Sequence, residues 1–122
     1  MDATGTWEYH GPAELGKWLK TEQRNNKVRF QLELQRGSPS YNSGWIEGEF
    51  ELHDKSGTFQ KTFYGRLCEI TFQFFSNHVE ISQSAGSDSD CGFGNNVWAQ
   101  GRLKRKSRSI PKFTNNDPRT GD

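Results

Sequence analysis

The sequence predicts an all-β protein, an eight-stranded antiparallel meander barrel, on three observations. Apolar and polar residues alternate at every second position through most of the chain, the beat of strands with one buried face. Turn-forming residues interrupt that beat at short intervals. Nine Phe, four Trp and three Tyr supply the bulky apolar side chains a small core needs. A two-sheet β-sandwich satisfies the same alternation and stays open as the alternative.

The strands follow in order. Trp7 and Tyr9 alternate with Glu8 and His10, which predicts a strand over 5–10. Trp18 and Leu19 lie in a short extended run over 17–23. Over 27–36, Val28, Phe30, Leu32 and Leu34 share one face, with Arg29, Gln31, Glu33 and Gln35 opposite; a helix would scatter these apolar residues round its circumference. Ile46, Gly48, Phe50 and Leu52 alternate with Glu47, Glu49 and Glu51 over 45–54. Phe59 and Phe63 straddle Lys61 over 57–64. Cys68, Ile70, Phe72 and Phe74 share a face over 66–75, and Val79 and Ile81 alternate with Glu80 and Ser82 over 77–83. The last strand, over 97–106, sets Val97, Ala99, Gly101 and Leu103 against Trp98, Gln100, Arg102 and Lys104. Gly11-Pro12, Asn25-Asn26, the stretch from Asp54 to Gly57, Gly65 and Ser76-Asn77 carry the turns. Links this short force antiparallel pairing, because parallel strands need long crossovers. A single domain over 1–106 is expected, followed by a polar, largely mobile tail over 107–122, anchored at its start by Ile110 and Phe113.

The chain has 122 residues, room for one core. Lys plus Arg is 16 and Asp plus Glu is 15, a net charge of +1, which argues against a polybasic nucleic-acid binder. No apolar run approaches the roughly 20 residues of a membrane-spanning helix.

Cys68 and Cys91 stand 23 positions apart. If 66–75 and 77–83 pair about Ser76-Asn77, Cys68 lies opposite a position near 85, and Cys91 follows in the loop leaving that end. A disulfide there would close a loop of about 24 residues and contribute roughly 3 kcal/mol. It implies an oxidising compartment, hence a secreted or periplasmic protein. Met1-Asp2-Ala3 has neither the positive segment nor the apolar stretch of a signal peptide. The chain therefore either works in the cytoplasm with free thiols or begins where a removed export signal ended; the cysteine geometry favours the second.

Three segments are candidates for contact with a partner. Gly37 to Trp45 reads GSPSYNSGW, and Tyr41, Asn42, Ser43 and Trp45 give it the composition of an adaptable recognition loop. The competing reading is an ordinary turn whose rings fold back over the barrel end. Ser84 to Asn96 reads SAGSDSDCGFGNN. Asp88 and Asp90 begin like a calcium loop, but Ala99 stands where the closing Glu would be, so they are at most a weak cation site. Phe93 in the same segment either contacts a partner or plugs the barrel mouth. Arg102, Lys104, Arg105, Lys106 and Arg108 form a basic run without interleaved stacking aromatics, read as a solvated strand end, with no nucleic-acid partner expected.

Catalysis finds little support. His10, His53 and His78 are isolated, and no phosphate-binding glycine loop is present. Glu47, Glu49 and Glu51 lie on the predicted outer face, where cross-strand pairing with Lys or Arg explains them. No cofactor is expected, and the protein is read as a non-enzyme.

The strings RFQLELQRGSPSYNSGWIEGEFEL, CEITFQF and DCGFGNNVWAQGRLKR resemble a type of small exported bacterial β-domain of uncharacterised function. The resemblance spans roughly residues 5–113 and implies a cell-envelope location. At the level of fold, an eight-stranded barrel with one disulfide is similar to periplasmic lysozyme inhibitors, which present a Ser-Gly motif on a surface loop. Ser43-Gly44 and Ser56-Gly57 are the positions to which that comparison points.

The expected function is a secreted or periplasmic binding module acting on a protein or glycan partner through surface loops, an inhibitor being one form of it. The alternative is a lipocalin-like barrel holding a small apolar or aromatic ligand in its interior.

Overall fold

The computed structural model describes residues 2–38, 42–63, 65–83, 91–93 and 97–114. Eight strands form: β1 (Gly5–His10), β2 (Gly16–Arg24), β3 (Lys27–Gln35), β4 (Ser43–Glu51), β5 (Ser56–Phe63), β6 (Arg66–Phe74), β7 (His78–Gln83) and β8 (Gly101–Ser107). One 3-10 turn, Pro12–Glu14, links β1 to β2. All pairings are antiparallel, in the order β4-β3-β2-β1-β8-β7-β6-β5. Sequential neighbours pair and β8 returns to β1, so the sheet curls into a nearly closed meander barrel, and the sandwich alternative falls away.

The single seam lies between β4 and β5, which share only the bridge His53–Ser56 at their turn. A Cβ on Gly48 of β4 would fall 2.3 Å from the Phe59 ring of β5, and one on Gly57 of β5 would fall 2.4 Å from the Phe50 ring of β4. Each strand thus carries a glycine where the other's phenylalanine lies, and the two rings pack across the seam.

The predicted beat is the one that sorts the interior. Val28, Phe30, Leu32 and Leu34 are buried, as are Cys68, Ile70, Phe72 and Phe74. Phe50 stacks on Phe72 at 4.9 Å and 4°, Phe30 meets Phe59 edge-on at 5.1 Å, and Phe72 and Phe74 lie 6.3 Å apart. Offset and edge contacts of this kind add roughly 0.5–1.5 kcal/mol per pair beyond area burial. Trp7, fully buried, donates its indole N–H to Thr21 Oγ1 at 2.9 Å, and that hydroxyl in turn donates to the Ala3 carbonyl. The buried indole N–H and the Thr21 hydroxyl thereby each have a partner.

Most boundaries shift by one residue, and the larger differences are at β4, which ends at Glu51 rather than 54, and at the last strand. The last strand starts at Gly101 rather than 97. Val97 and Ala99 still turn inward on the predicted beat, but the Ala99 N–H goes to Gln83 Oε1 at 2.9 Å, a side chain and not a neighbouring backbone. Ser43 and Gly44 extend β4 backward, in register with Gln35 and Leu34. Beyond β8 the chain meets the outer face of β2 and β3. Phe113 lies under the Arg29 guanidinium at 4.1 Å, Lys20 donates to the Lys112 carbonyl, and Thr114 exchanges backbone hydrogen bonds with the Gln31 side chain. Ile110 is 68 % exposed, so these contacts are made by Phe113 and Thr114 instead.

Candidate functional site

The antiparallel meander brings to one rim the described residues that leave and enter these strands: 11–15 between β1 and β2, 36–38 and Asn42 between β3 and β4, Gly65 before β6, and 91–93 and 97–100 before β8. Cys68 at the start of β6 and Cys91 in the last of these are disulfide-bonded, with Cα atoms 4.7 Å apart, as the predicted hairpin requires. The bridge ties the longest connection to the barrel wall. Phe93, two residues on, is 7 % exposed, and a Cβ on Gly44 would fall 2.7 Å from its ring. Phe93 therefore plugs the mouth between β4 and the returning chain and is not presented to a partner.

The predicted recognition loop divides. Its free part is shorter than nine residues, because Ser43, Gly44 and Trp45 belong to β4. Asn42 closes the loop through its carbonyl, which accepts the Arg36 N–H at 2.8 Å, and Ser38 N–H bonds the Ala13 carbonyl at 2.7 Å. Trp45 projects from the outer face in register with Glu33, which is itself in register with Trp18. The two indoles flank a shallow groove of about 80 Å³ on the outer wall of the barrel. Tyr41, Asp88 and Asp90 lie outside the described residues. Among the described residues no three His, Cys, Asp or Glu side chains converge as metal ligands.

The rim carries a cleft of about 460 Å³ that the strand pattern did not mark. Tyr9 and Lys17 stand on β1 and β2 in register, Arg36 follows β3, and Trp98, Gln100 and Arg102 come from the segment entering β8. Leu15, Leu34 and Val97 line its apolar part. Among the described lining residues three side chains are cations and none is a carboxylate. Lys17 occupies an inward position, in phase with buried Leu19 and Thr21. Its ammonium donates to the Gln100 carbonyl, and a Cβ on Gly101 would fall 3.1 Å from Nζ, so the bare glycine leaves room for it. Burial holds the Lys17 ammonium below its ordinary pKa of 10.5. A second depression, about 530 Å³, continues from Tyr9 and Arg102 along the outer face of β8 past Lys104 and Lys106.

The basic run splits with the pleat. Arg102, Lys104 and Lys106 face outward, while Arg105 turns in and covers the Trp7 ring at 4.6 Å. Sequence reasoning passed over Lys17 because buried Thr21 and half-buried Trp18 blur the alternation of β2. Its signal was a lone cation on the inward beat of an otherwise apolar face.

No protein-family model, no curated protein and no solved structure matches the chain.

Proposed function

We propose that the protein is a non-enzymatic binding module that engages a protein or glycan partner at the disulfide-tied rim. The observation that carries this reading is the convergence of Leu15, Lys17, Arg36, Trp98 and Arg102 around one cleft of about 460 Å³, at the end of a barrel whose interior is filled by rings. Rigid scaffolds commonly present function on such connections. The cleft falls within the roughly 300–1,000 Å³ of small-ligand sites. The stacked Phe30, Phe50 and Phe72 favour rim binding over a ligand held in the lumen. The disulfide is compatible with an oxidising compartment and supports a secreted or periplasmic setting. The resemblance of the CEI and DCGFG segments to exported bacterial domains points the same way.

The test pairs a glycan array with a lysozyme-inhibition assay, using the full chain and its Tyr9→Ala and Trp98→Ala variants. Binding or inhibition that both substitutions weaken at least tenfold, with folding intact, is the expected result. A signal indifferent to both variants, or no signal in either assay, overturns the reading.

A further inference from the structure

The rim cleft sets aromatic side chains beside cationic ones. Tyr9, 39 % exposed, and half-buried Trp98 offer ring faces to an apolar surface. Arg36 and Arg102 line the cleft with guanidinium groups of the kind that pair with oxyanions, and one Arg102 nitrogen lies 3.4 Å from His78 Nδ1 at the cleft's outer edge. The exposed Gln100 adds an amide suited to a hydroxyl. Lys17 is the unusual member. Among the described residues it pairs with no carboxylate, and its only hydrogen bond there goes to a backbone carbonyl. A half-buried ammonium that meets no counter-charge among the described residues is one that an anion entering the cleft would stabilise.

Resting on the rim-binding reading, we propose that the cleft holds an anionic sugar, one bearing a carboxylate or a phosphate. The charged group sits between Lys17, Arg36 and Arg102, and the sugar ring lies against Tyr9 and Trp98. A bare inorganic anion would use the cations and leave the two rings idle. A neutral sugar would use the rings and leave Lys17 without a counter-ion. An acidic sugar satisfies both halves of the cleft.

The experiment is a titration of the 15N-labelled full chain at fixed ionic strength, followed by amide shifts and calorimetry. The probes are glucuronate, glucose 6-phosphate, glucose, acetate and inorganic phosphate. Saturable shifts at Tyr9, Lys17, Trp98 and Arg102 with glucuronate or glucose 6-phosphate, at least tenfold tighter than with glucose or the bare anions, are expected. Whichever of the two binds tighter identifies carboxylate or phosphate as the group preferred. Lys17→Met and Arg102→Gln should each weaken the binding about tenfold or more, the second at an exposed position. Glucose binding at the rim as tightly as glucuronate overturns the anionic assignment while sparing the rim-binding reading. Absence of shifts with both acidic sugars, or binding that both variants leave intact, also overturns the assignment; the array and lysozyme assays judge the rim-binding reading separately.

Discussion

The guanidinium of Arg105 lies 4.6 Å from the centre of the Trp7 ring and fastens the last strand to the N-terminal segment. Its nitrogens donate to the carbonyls of Asp2, Thr4 and Ser76, so one side chain joins the N-terminal segment, β8 and the β6–β7 turn. A lysine keeps the charge and loses the flat fork. Arg105→Lys is therefore expected to destabilise the protein by about 1–3 kcal/mol, as charged hydrogen bonds and a stacked cation are lost. Urea unfolding measures this, and an unchanged midpoint would refute it.

The disulfide closes a loop across the longest connection, from Cys68 to Cys91. Paired Cys68→Ser and Cys91→Ser substitutions should cost roughly 3 kcal/mol by the loop-entropy estimate. Reduction of the wild type should lower its unfolding midpoint comparably and leave the double variant unaffected. Equal sensitivity of both proteins to reductant would contradict this account.

Phe72 touches Phe30, Phe50 and Phe74 in the filled interior. Phe72→Ala should cost about 3–5 kcal/mol, because the surrounding rings belong to separate strands and cannot all close on the void. Denaturant unfolding checks the loss; a cost below about 1 kcal/mol would mean the barrel is loosely filled.

Asp2 carries the chain's clearest acid-side linkage. The Thr4 backbone N–H, donating to its carboxylate at 2.9 Å, holds its pKa below the ordinary 3.8, with Arg105 adding to the effect. A carboxyl with a depressed folded-state pKa stabilises the fold above the unfolded value. That contribution is full above about pH 4 and is lost as pH falls through the lowered folded-state value. Asp2→Asn should flatten the dependence of stability on pH below 4 and change it little near neutrality. Acid titrations followed by circular dichroism compare the two, and superimposable acid limbs would count against the linkage.

Much of the fold was legible because each inward strand position carries its own signal. Phe30, Phe50 and Phe72 announce a buried face without reference to any partner strand, and the same beat, folded about Ser76-Asn77, brought Cys68 and Cys91 to one end. The last strand's start was misjudged because Val97 and Ala99 keep the beat although Ala99 bonds a side chain. Alternation reports which way a side chain points, and it is silent on what the backbone pairs with. The cleft was hidden for a related reason. Tyr9, Lys17, Arg36 and Arg102 are far apart in sequence, and only the return of β8 to β1 brings them together. Trp45 was assigned to a loop by its neighbours' composition, whereas the outward beat of β4 places it on the barrel wall.

Lys17 decides whether the rim cleft exists for binding or for folding. If binding, its ammonium costs the empty protein stability, and methionine fills the same space without the charge. The Gln100 carbonyl, on an exposed residue, then turns to water. Urea unfolding of ligand-free wild type and Lys17→Met at neutral pH is the direct measurement. The account predicts a variant as stable as the wild type or more so. A variant weaker by more than about 1 kcal/mol would make the Lys17–Gln100 contact a structural tie and contradict the central claim.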